Sequence, residues 1–271
     1  MRAPVVLKLG GELLEDAAAV RATVAAITTL AGKSPLVIVH GGGRTIDADL
    51  RLKGIEPRFV DGLRVTDAPT LEVVVSVLAG RNNTMLVAGL TAAGVRAVGL
   101  TGADAGAGLS TMAPLFTAAS GARVDLGLVG QPAGSSAPLL VDLLRLGYVP
   151  VIASIGVTAT GELLNVNADT LAGHLAATLE AERLIIAGGT AGVLDPAGTL
   201  IDELTMDAVD EMIGSGIAHS GMVAKLAACR TAILAGVADV AIVNGRSSSD
   251  FDAAKGTSIV AGHADSVSAT R

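Results

Sequence analysis

A chain of 271 residues can bury a large core, and its formal net charge of −7 excludes broad binding to polyanions such as nucleic acid. Aromatic residues make up only 1% of the sequence, so the stacking surfaces that single-stranded nucleic acid needs are nearly absent. The single cysteine, Cys229, excludes an internal disulfide and a thiolate-rich metal site, and a cytoplasmic protein is the expected class.

Six apolar runs of strand length recur along the chain, with helical stretches between most of them. They lie at residues 5–9, 36–39, 95–100, 149–153, 184–187 and 240–243. This alternation predicts an α/β fold, with an open, mainly parallel sheet sandwiched between helices in three αβα layers. The mean hydropathy is +0.60, but the uncharged stretch of residues 105–122 is broken by Gly, Pro and Ser and predicts loops, not a membrane span.

A domain boundary is expected at residues 158–165, where a turn-like Thr-Gly pair follows the fourth run. This divides the chain into an N-terminal lobe of residues 1–164 and a smaller C-terminal lobe of residues 165–271.

The first predicted strand carries Lys8 and leads directly into Gly10 and Gly11. Such a turn can present backbone N–H groups to a phosphate, and ligands of open α/β sheets bind at the carboxyl ends of the strands. The alternative is an ordinary strand end with a flexible turn and a lysine that reaches solvent. A helix should follow, capped by Asp16 and ended by Gly32.

The second predicted strand is followed by His40 and three glycines, Gly41, Gly42 and Gly43. Consecutive glycines at a helix entrance are costly, which favours close approach of an anion. The pattern is not a dinucleotide fingerprint, because Ile46 stands where a third spaced glycine is required. We interpret His40 as a strand-end residue with satisfied hydrogen bonds and not as a base.

The DGLRVT segment of residues 61–66 predicts a hairpin turn that ends in Arg64, and a helix is expected to begin near Pro69. A guanidinium group can bind a carboxylate through two parallel hydrogen bonds. A surface ion pair is an equally good reading of Arg64 by itself.

Polar residues alternate in the LNVNAD segment of residues 164–169, just before an apolar helix. Either Asn167 or Asp169 could simply cap that helix. Farther along, the glycine-containing SGMVAK segment of residues 220–225 opens an alanine-rich helix and places Lys225 about one turn inside it.

Taken in order, these segments resemble the amino acid kinase family, over nearly the whole chain from Lys8 to residues 256–257. The segments at residues 61–66 and 164–169 look most like the members that act on N-acetyl-L-glutamate. The resemblance implies ATP-dependent phosphorylation of the side-chain carboxylate of N-acetyl-L-glutamate in arginine biosynthesis. It also implies Mg²⁺, held mainly by phosphates and water, with no metal ligand among the side chains.

The resemblance assigns a role to each segment. Lys8 and Lys225 would stabilise the transferred phosphoryl group, and Asp169 would hold both lysines. The acceptor would be bound by Gly41, Gly42, Gly43, Arg64 and Asn165, and the phosphates and nucleotide by Gly10, Gly11, Gly188, Gly189, Gly192, Gly221 and Met222.

The chain departs from the family pattern in one loop, where a Thr/Ser-Asp-Val/Ile run is usual and residues 187–192 read AGGTAG. Nucleotide binding is the property that this change affects. The chain begins almost at its first strand, and the resemblance associates this with a homodimer that arginine does not inhibit.

Two alternatives remain open at this level. The first is a kinase for a carrier-linked or N-acylated aminoadipate in lysine biosynthesis, whose acidic carrier could meet Arg44, Arg51, Lys53 and Arg58. The second is a ligand sensor that has lost ATP use through the altered loop.

Overall fold

The computed structural model describes residues 2–118, 120–134, 136–216, 218 and 221–262. The strands in this part of the chain are β1 (Val5–Leu9), β2 (Leu36–His40), β3 (Phe59–Val60), β4 (Leu63–Arg64), β5 (Ala97–Thr101), β6 (Ser110–Met112), β7 (Phe116–Thr117), β8 (Arg123–Val124), β9 (Val129–Pro132), β10 (Val149–Ala153), β11 (Ile155–Val157), β12 (Leu163–Val166), β13 (Arg183–Gly188), β14 (Glu203–Thr205), β15 (Asp239–Asn244) and β16 (Gly256–Val260).

The helices are α1 (Ala17–Ala31), α2 (Gly43–Leu52), α3 (Ala68–Val75), α4 (Asn83–Ala92), α5 (Pro138–Arg145), α6 (Ala168–Thr178), α7 (Met206–Gly214) and α8 (Gly221–Leu234). Short 3-10 turns cover Gly11–Leu13 and Asp104–Gly106, and a π-helix, Ser76–Asn82, joins α3 to α4.

Eight strands form the central sheet, in the order β14-β16-β15-β13-β1-β2-β10-β5. All six predicted strands lie in it, and every neighbouring pair is parallel except β15 with β16. The predicted open, mainly parallel sheet is therefore confirmed. The two strands β14 and β16 extend it beyond the sequence prediction.

The central strands are buried on both faces because successive side chains point to opposite sides. In β1, Val6 packs with α6 and α8 on one face, whereas Leu7 and Leu9 pack with α1 and α4 on the other. The same alternation continues in β2 and β13, which gives the three αβα layers that the sequence predicts.

The helix boundaries follow the capping residues. Asp16 caps α1 by accepting hydrogen bonds from the N–H groups of Ala18 and Ala19, and Gly32 is its C-cap. Helix α3, the π-helix and α4 run on as one apolar helix, Ala68–Ala92, which is long enough to cross a membrane by length and composition alone. In the apolar 18-residue window of this helix, 44% of the residues are buried inside the protein.

Smaller sheets lie beyond the carboxyl edge of the central sheet. One has the order β11-β12-β9-β6, and another is the antiparallel hairpin of β3 and β4. In the hairpin turn, Asp61 and Gly62 both have positive φ angles, of 46° and 82°, which fits a tight two-residue connection. The predicted hairpin at residues 61–66 is confirmed.

Candidate active site

A cavity of about 220 Å³ opens at the carboxyl ends of β1 and β2, beneath the β3–β4 hairpin and β12. Eight predicted site residues from four separate segments line it together: Lys8, Gly11, Gly41, Gly42, Gly43, Arg64, Asn165 and Asp169. The carboxyl edge of the sheet is where ligands of open α/β folds bind.

Lys8 and Asp169 form an ion pair on the floor of this cavity. Lys8 Nζ lies 2.9 Å from Asp169 Oδ1, and both side chains are more than 90% buried. Asn167 is the N-cap of α6 and accepts hydrogen bonds from the N–H groups of Asp169 and Thr170. Because Asn167 performs the capping, the Asp169 carboxylate is available to the lysine.

The two glycine loops that follow β1 and β2 touch each other. A Cβ atom built on Gly11 would lie 2.9 Å from Gly42 Cα, so a side chain at position 11 would push the loops apart. The Gly41 N–H bonds the Leu9 carbonyl at 3.4 Å, which ties the second loop to the end of β1.

His40 is completely buried at the end of β2, behind the second glycine loop. Its Nε2 lies 3.0 Å from Asn83 Nδ2, which also donates to the Val151 carbonyl at 2.8 Å. Burial lowers the pKa of His40 to about 4, more than its contact with the Gly41 carbonyl raises it. The ring is therefore neutral near pH 7 and holds the loop in place, as expected for a satisfied strand-end residue.

Arg64 enters the cavity from β4 with one half of its guanidinium group engaged. Its Nη2 donates to Asp47 and to the Gly43 carbonyl, at 3.3 Å from the latter, and the group lies 4.6 Å from the Phe59 ring centre. Its Nη1 is buried and makes no hydrogen bond within the described residues. A buried cationic donor without an acceptor is costly, so this atom is suited to an anionic ligand.

Asn165 stands opposite, in β12. Its Nδ2 donates to Thr66 Oγ1 at 3.0 Å, and this hydroxyl donates to the Arg64 carbonyl at 3.2 Å. The DGLRVT and LNVNAD segments are thus joined by a side-chain hydrogen bond between residues that lie 99 positions apart in the sequence.

Among the remaining predicted residues, Gly188 and Gly189 lie against the first glycine loop. A second cavity, of about 440 Å³, shares Gly11 and Gly43 with the first and is also lined by Gly189. A Cβ atom on Gly188 would lie 3.9 Å from Lys225 Cε, and Lys225 Nζ donates to the Gly221 carbonyl at 3.2 Å. Lys225 thus lies beside Gly188, and its ammonium group bonds its own helix; among the ion pairs of the described residues, Asp169 pairs with Lys8 and not with Lys225.

Two predicted residues occupy structural positions in this arrangement. Met222, the second residue of α8, packs against the hydrophobic core. Gly192 has a φ of 146°, and a side chain there would collide with Leu200 and Thr257.

Three residues in or behind the two cavities were not predicted. Asp47 orients Arg64 from α2, and Asn83 holds His40 from the start of α4. Glu12, in the first glycine loop, accepts a hydrogen bond from the Gly189 N–H at 2.6 Å. Each reaches its partner through the tertiary fold, so local spacing carries no signal for it.

Comparison with known proteins agrees with this geometry. Residues 3–244 match the model of the amino acid kinase family. Acetylglutamate kinase of Symbiobacterium thermophilum is 43% identical over 248 residues, which cover 89% of this chain and 84% of that protein. Acetylglutamate kinase of Methanopyrus kandleri is 40% identical over 242 residues, covering 88% of this chain and 94% of that protein.

Solved structures share the fold over almost the entire chain. The protein smu.665 from Streptococcus mutans superposes with a TM-score of 0.79 at 26% identity, covering 97% of this chain and 100% of that one. The carbamate kinase of Giardia superposes with a TM-score of 0.68 at 14% identity, covering 96% of this chain and 99% of that one, and shows the fold alone.

Proposed function

The chain belongs to the amino acid kinase family, and we propose that it transfers the γ-phosphoryl group of ATP to the side-chain carboxylate of N-acetyl-L-glutamate in arginine biosynthesis. A carboxylate oxygen forms a bond to the γ-phosphorus, while the bond to the β,γ-bridging oxygen breaks and ADP leaves. The observation that carries this proposal is the unpartnered Nη1 of Arg64, in the same cavity as Lys8.

The absence of a base among the predicted roles fits this reaction. A glutamate carboxylate has a reference pKa of about 4.3, so it is already ionised at neutral pH and needs no proton removed. The obstacle is repulsion between two anions, which positively charged groups and backbone N–H groups offset.

Arg64 and Asn165 are assigned to the acceptor. The free Nη1 of Arg64 would bind a carboxylate of the substrate, while Asp47 and Gly43 hold the rest of the guanidinium group in position. The loop at residues 41–43 lines the same cavity, and the N–H groups of Gly42 and Gly43 would orient the carboxylate that receives the phosphoryl group.

Lys8 and Lys225 are assigned to the transferred phosphoryl group. Asp169 fixes the Lys8 ammonium at the junction of the two glycine loops, where its charge counts most in the transition state. Mg²⁺, when bound with ATP, would neutralise phosphate charge. The phosphates and water would hold this ion, as is common for Mg²⁺ in kinase sites.

The nucleotide is assigned to the second cavity, which Gly11 and Gly189 line, and to the neighbouring Gly10, Gly188 and Gly221, whereas Gly192 and Met222 have the structural positions described above. Residues 1–164 would then bind mainly the acceptor, and residues 165–271 mainly the nucleotide. The active unit would be a cytoplasmic homodimer. Strand β5 ends the central sheet and is only partly buried, so its outer edge offers a surface for a second copy.

Hydroxylamine trapping of the acyl phosphate tests reaction and substrate together. With MgATP, product should form fastest with N-acetyl-L-glutamate and far more slowly with glutamate, N-acetylaspartate or N-acetylaminoadipate. The matched variants are Arg64→Lys and Arg58→Lys, because Arg58 is an exposed residue of the same hairpin that pairs with Asp67.

Arg64→Lys should raise KM for N-acetylglutamate about tenfold or more, since an ammonium group cannot bind Asp47 and a substrate carboxylate in one plane. KM for ATP should stay unchanged, and Arg58→Lys should behave like the wild type. If both substitutions changed KM for N-acetylglutamate equally, Arg64 would not be a residue of the acceptor site. Preferential turnover of N-acetylaminoadipate or of a carrier-linked substrate would instead favour the lysine-biosynthesis alternative.

A further inference from the structure

One side chain inside the proposed nucleotide site has no part in the mechanism above. Glu12 follows the glycine pair of the first loop, and its Oε1 accepts a hydrogen bond from the Gly189 N–H at 2.6 Å. A Cβ atom on Gly10 would lie 2.5 Å from this carboxylate, and one on Gly188 would lie 3.0 Å from it. The carboxylate therefore fills the space between the two loops that are assigned to phosphate.

The surroundings of the Glu12 carboxylate favour its charged form. Burial alone would raise the pKa of Glu12, but hydrogen bonds from its own N–H and from Gly189, together with Lys8 and Lys225, lower it. Glu12 is thus an anion stabilised by groups that would stabilise a phosphate: a backbone N–H and two lysines.

We propose that the Glu12 carboxylate occupies the phosphate position of the ligand-free enzyme, and that the phosphates of the nucleotide must displace it. This inference rests on the proposed use of ATP. Two anions cannot share one N–H donor at such short range, so binding of phosphate and release of Glu12 are coupled.

The surroundings of Glu12 allow it to leave without unfolding the loop. The next residue, Leu13, is 99% buried and anchors the 3-10 turn, whereas Glu12 itself is only partly buried. Glu12 also lines a neighbouring cavity of about 220 Å³, which it shares with Arg246. A rotation of the side chain would bring the carboxylate toward that guanidinium group.

The affinity for the nucleotide therefore depends partly on the Glu12 carboxylate, because it competes with the phosphates. When only a fraction of the molecules have an open site, the observed Kd rises in inverse proportion to that fraction. Removal of the carboxylate should therefore tighten the binding of phosphate-bearing ligands and leave the binding of the nucleoside alone unchanged.

Calorimetric titration of the full-length protein with MgATP and, separately, with adenosine tests this directly, and no acceptor is needed. Glu12→Ala should lower Kd for MgATP about tenfold, and Glu12→Gln should lower it less, because a neutral amide oxygen can still accept from Gly189. Kd for adenosine should be the same in all three proteins.

The control is Glu162→Gln, which removes the same charge from the exposed turn between β11 and β12 and should leave both affinities unchanged. An unchanged or raised Kd for MgATP in Glu12→Ala would overturn the proposal, and so would a parallel change in adenosine binding. A failure of the acyl phosphate assay would leave these binding results intact, so the two proposals can fail separately.

Discussion

The ion pair of Lys8 and Asp169 lies in a buried part of the sheet, where a lysine does not favour the stability of the fold. Lys8 stands between Leu7 and Leu9 in the most central part of the sheet, and all three are buried. Removing two charges from water costs about as much as their attraction returns, so a buried pair contributes little net stability. The ion pair instead serves to position an ammonium group at the point where the two glycine loops meet.

His40 makes a measurable contribution to the pH dependence of folding. Its pKa is about 4 in the folded protein, against an ordinary value of 6.5, because the buried ring resists protonation. The unfolded chain therefore binds the extra proton first as the pH falls. Stability is unaffected above pH 6.5 and declines between pH 6.5 and pH 4.

Between pH 7.5 and pH 5 this effect should remove about 2 kcal/mol of the free energy of unfolding. In His40→Gln, whose side chain cannot titrate but can still accept from Asn83, the loss over that interval should be smaller by about the same amount. Urea titrations at the two pH values measure the difference. His174→Gln is the comparison, since His174 is only partly buried and its pKa is also lowered by burial. An equal loss in wild type and His40→Gln would contradict this account.

At the scale of elements, the crossing of α6 and α8 joins two proposed catalytic residues. Asp169 lies in the first turn of α6, and Lys225 in the first half of α8. The helices meet at Gly173, where a Cβ atom would lie 2.7 Å from the Ala228 carbonyl oxygen and 2.9 Å from Ala228 Cα. Neither atom belongs to a flexible side chain, so the helices would have to separate.

Gly173→Ala should therefore destabilise the protein by about 1–3 kcal/mol, although alanine favours a helix more than glycine does. Because separation also shifts α6, which carries Asp169, relative to α8, which carries Lys225, turnover in the hydroxylamine assay should fall with it. The matched control is Gly214→Ala at the end of α7, where no atom lies within 4 Å of the added Cβ. If Gly173→Ala were as stable and turned over as fast as Gly214→Ala, the two helices would be able to accommodate the added methyl group at their crossing.

The predicted elements are those whose signal is local. The six core strands and the cap of α1 follow from apolar runs and single residues, and so do the glycine loops and the hairpin that carries Arg64. The π-helix Ser76–Asn82 had no such signal, because no residue pattern in it distinguishes a π-helical turn from an α-helical one. Its wide turn precedes Asn83, which bonds His40, a common setting for such turns at functional sites.

What sequence reasoning missed in the site depends on contacts between distant segments. Glu12 meets Gly189 across 177 residues, and the pairing of β15 with β16 reverses direction late in the chain. Such contacts depend on how the strands and helices pack in three dimensions, which local sequence patterns do not determine. The resemblance supplied the joint role of Lys8, Asp169 and Lys225, which stays a prediction; in the structure Asp169 pairs with Lys8, and Lys225 bonds the Gly221 carbonyl.

For the molecule as a whole, the central sheet crosses the predicted division at residues 164 and 165. Strand β1 pairs in parallel with β2 on one side and with β13 on the other, five residues in register each time. Helix α6, from the second half, packs on strands of the first half in a shared core. Two lobes can therefore bind different substrates and still fold as one cooperative unit.

Two native probes can test this cooperativity, since the chain has one tyrosine and one cysteine. Tyr148 lies in residues 1–164, where its ring contacts Arg96 at 4.0 Å, and its fluorescence should change when that half unfolds. Cys229 lies in residues 165–271, fully buried, and burial raises the pKa of its thiol, so it should react with a thiol reagent only after its half opens. We expect both signals to change at the same urea concentration.

The urea midpoints of the Tyr148 and Cys229 signals should coincide because neither half of the chain can keep its core without the other. Loss of β13 would expose one edge of β1 and the apolar residues beneath α6, and the remaining strands would lose a buried face. Brief pulses of thiol reagent keep the labelling from pulling the equilibrium toward the open form. If Cys229 became reactive at clearly lower urea than the Tyr148 transition, residues 165–271 would be an independent folding unit, and the division would be one of stability as well as of substrate binding.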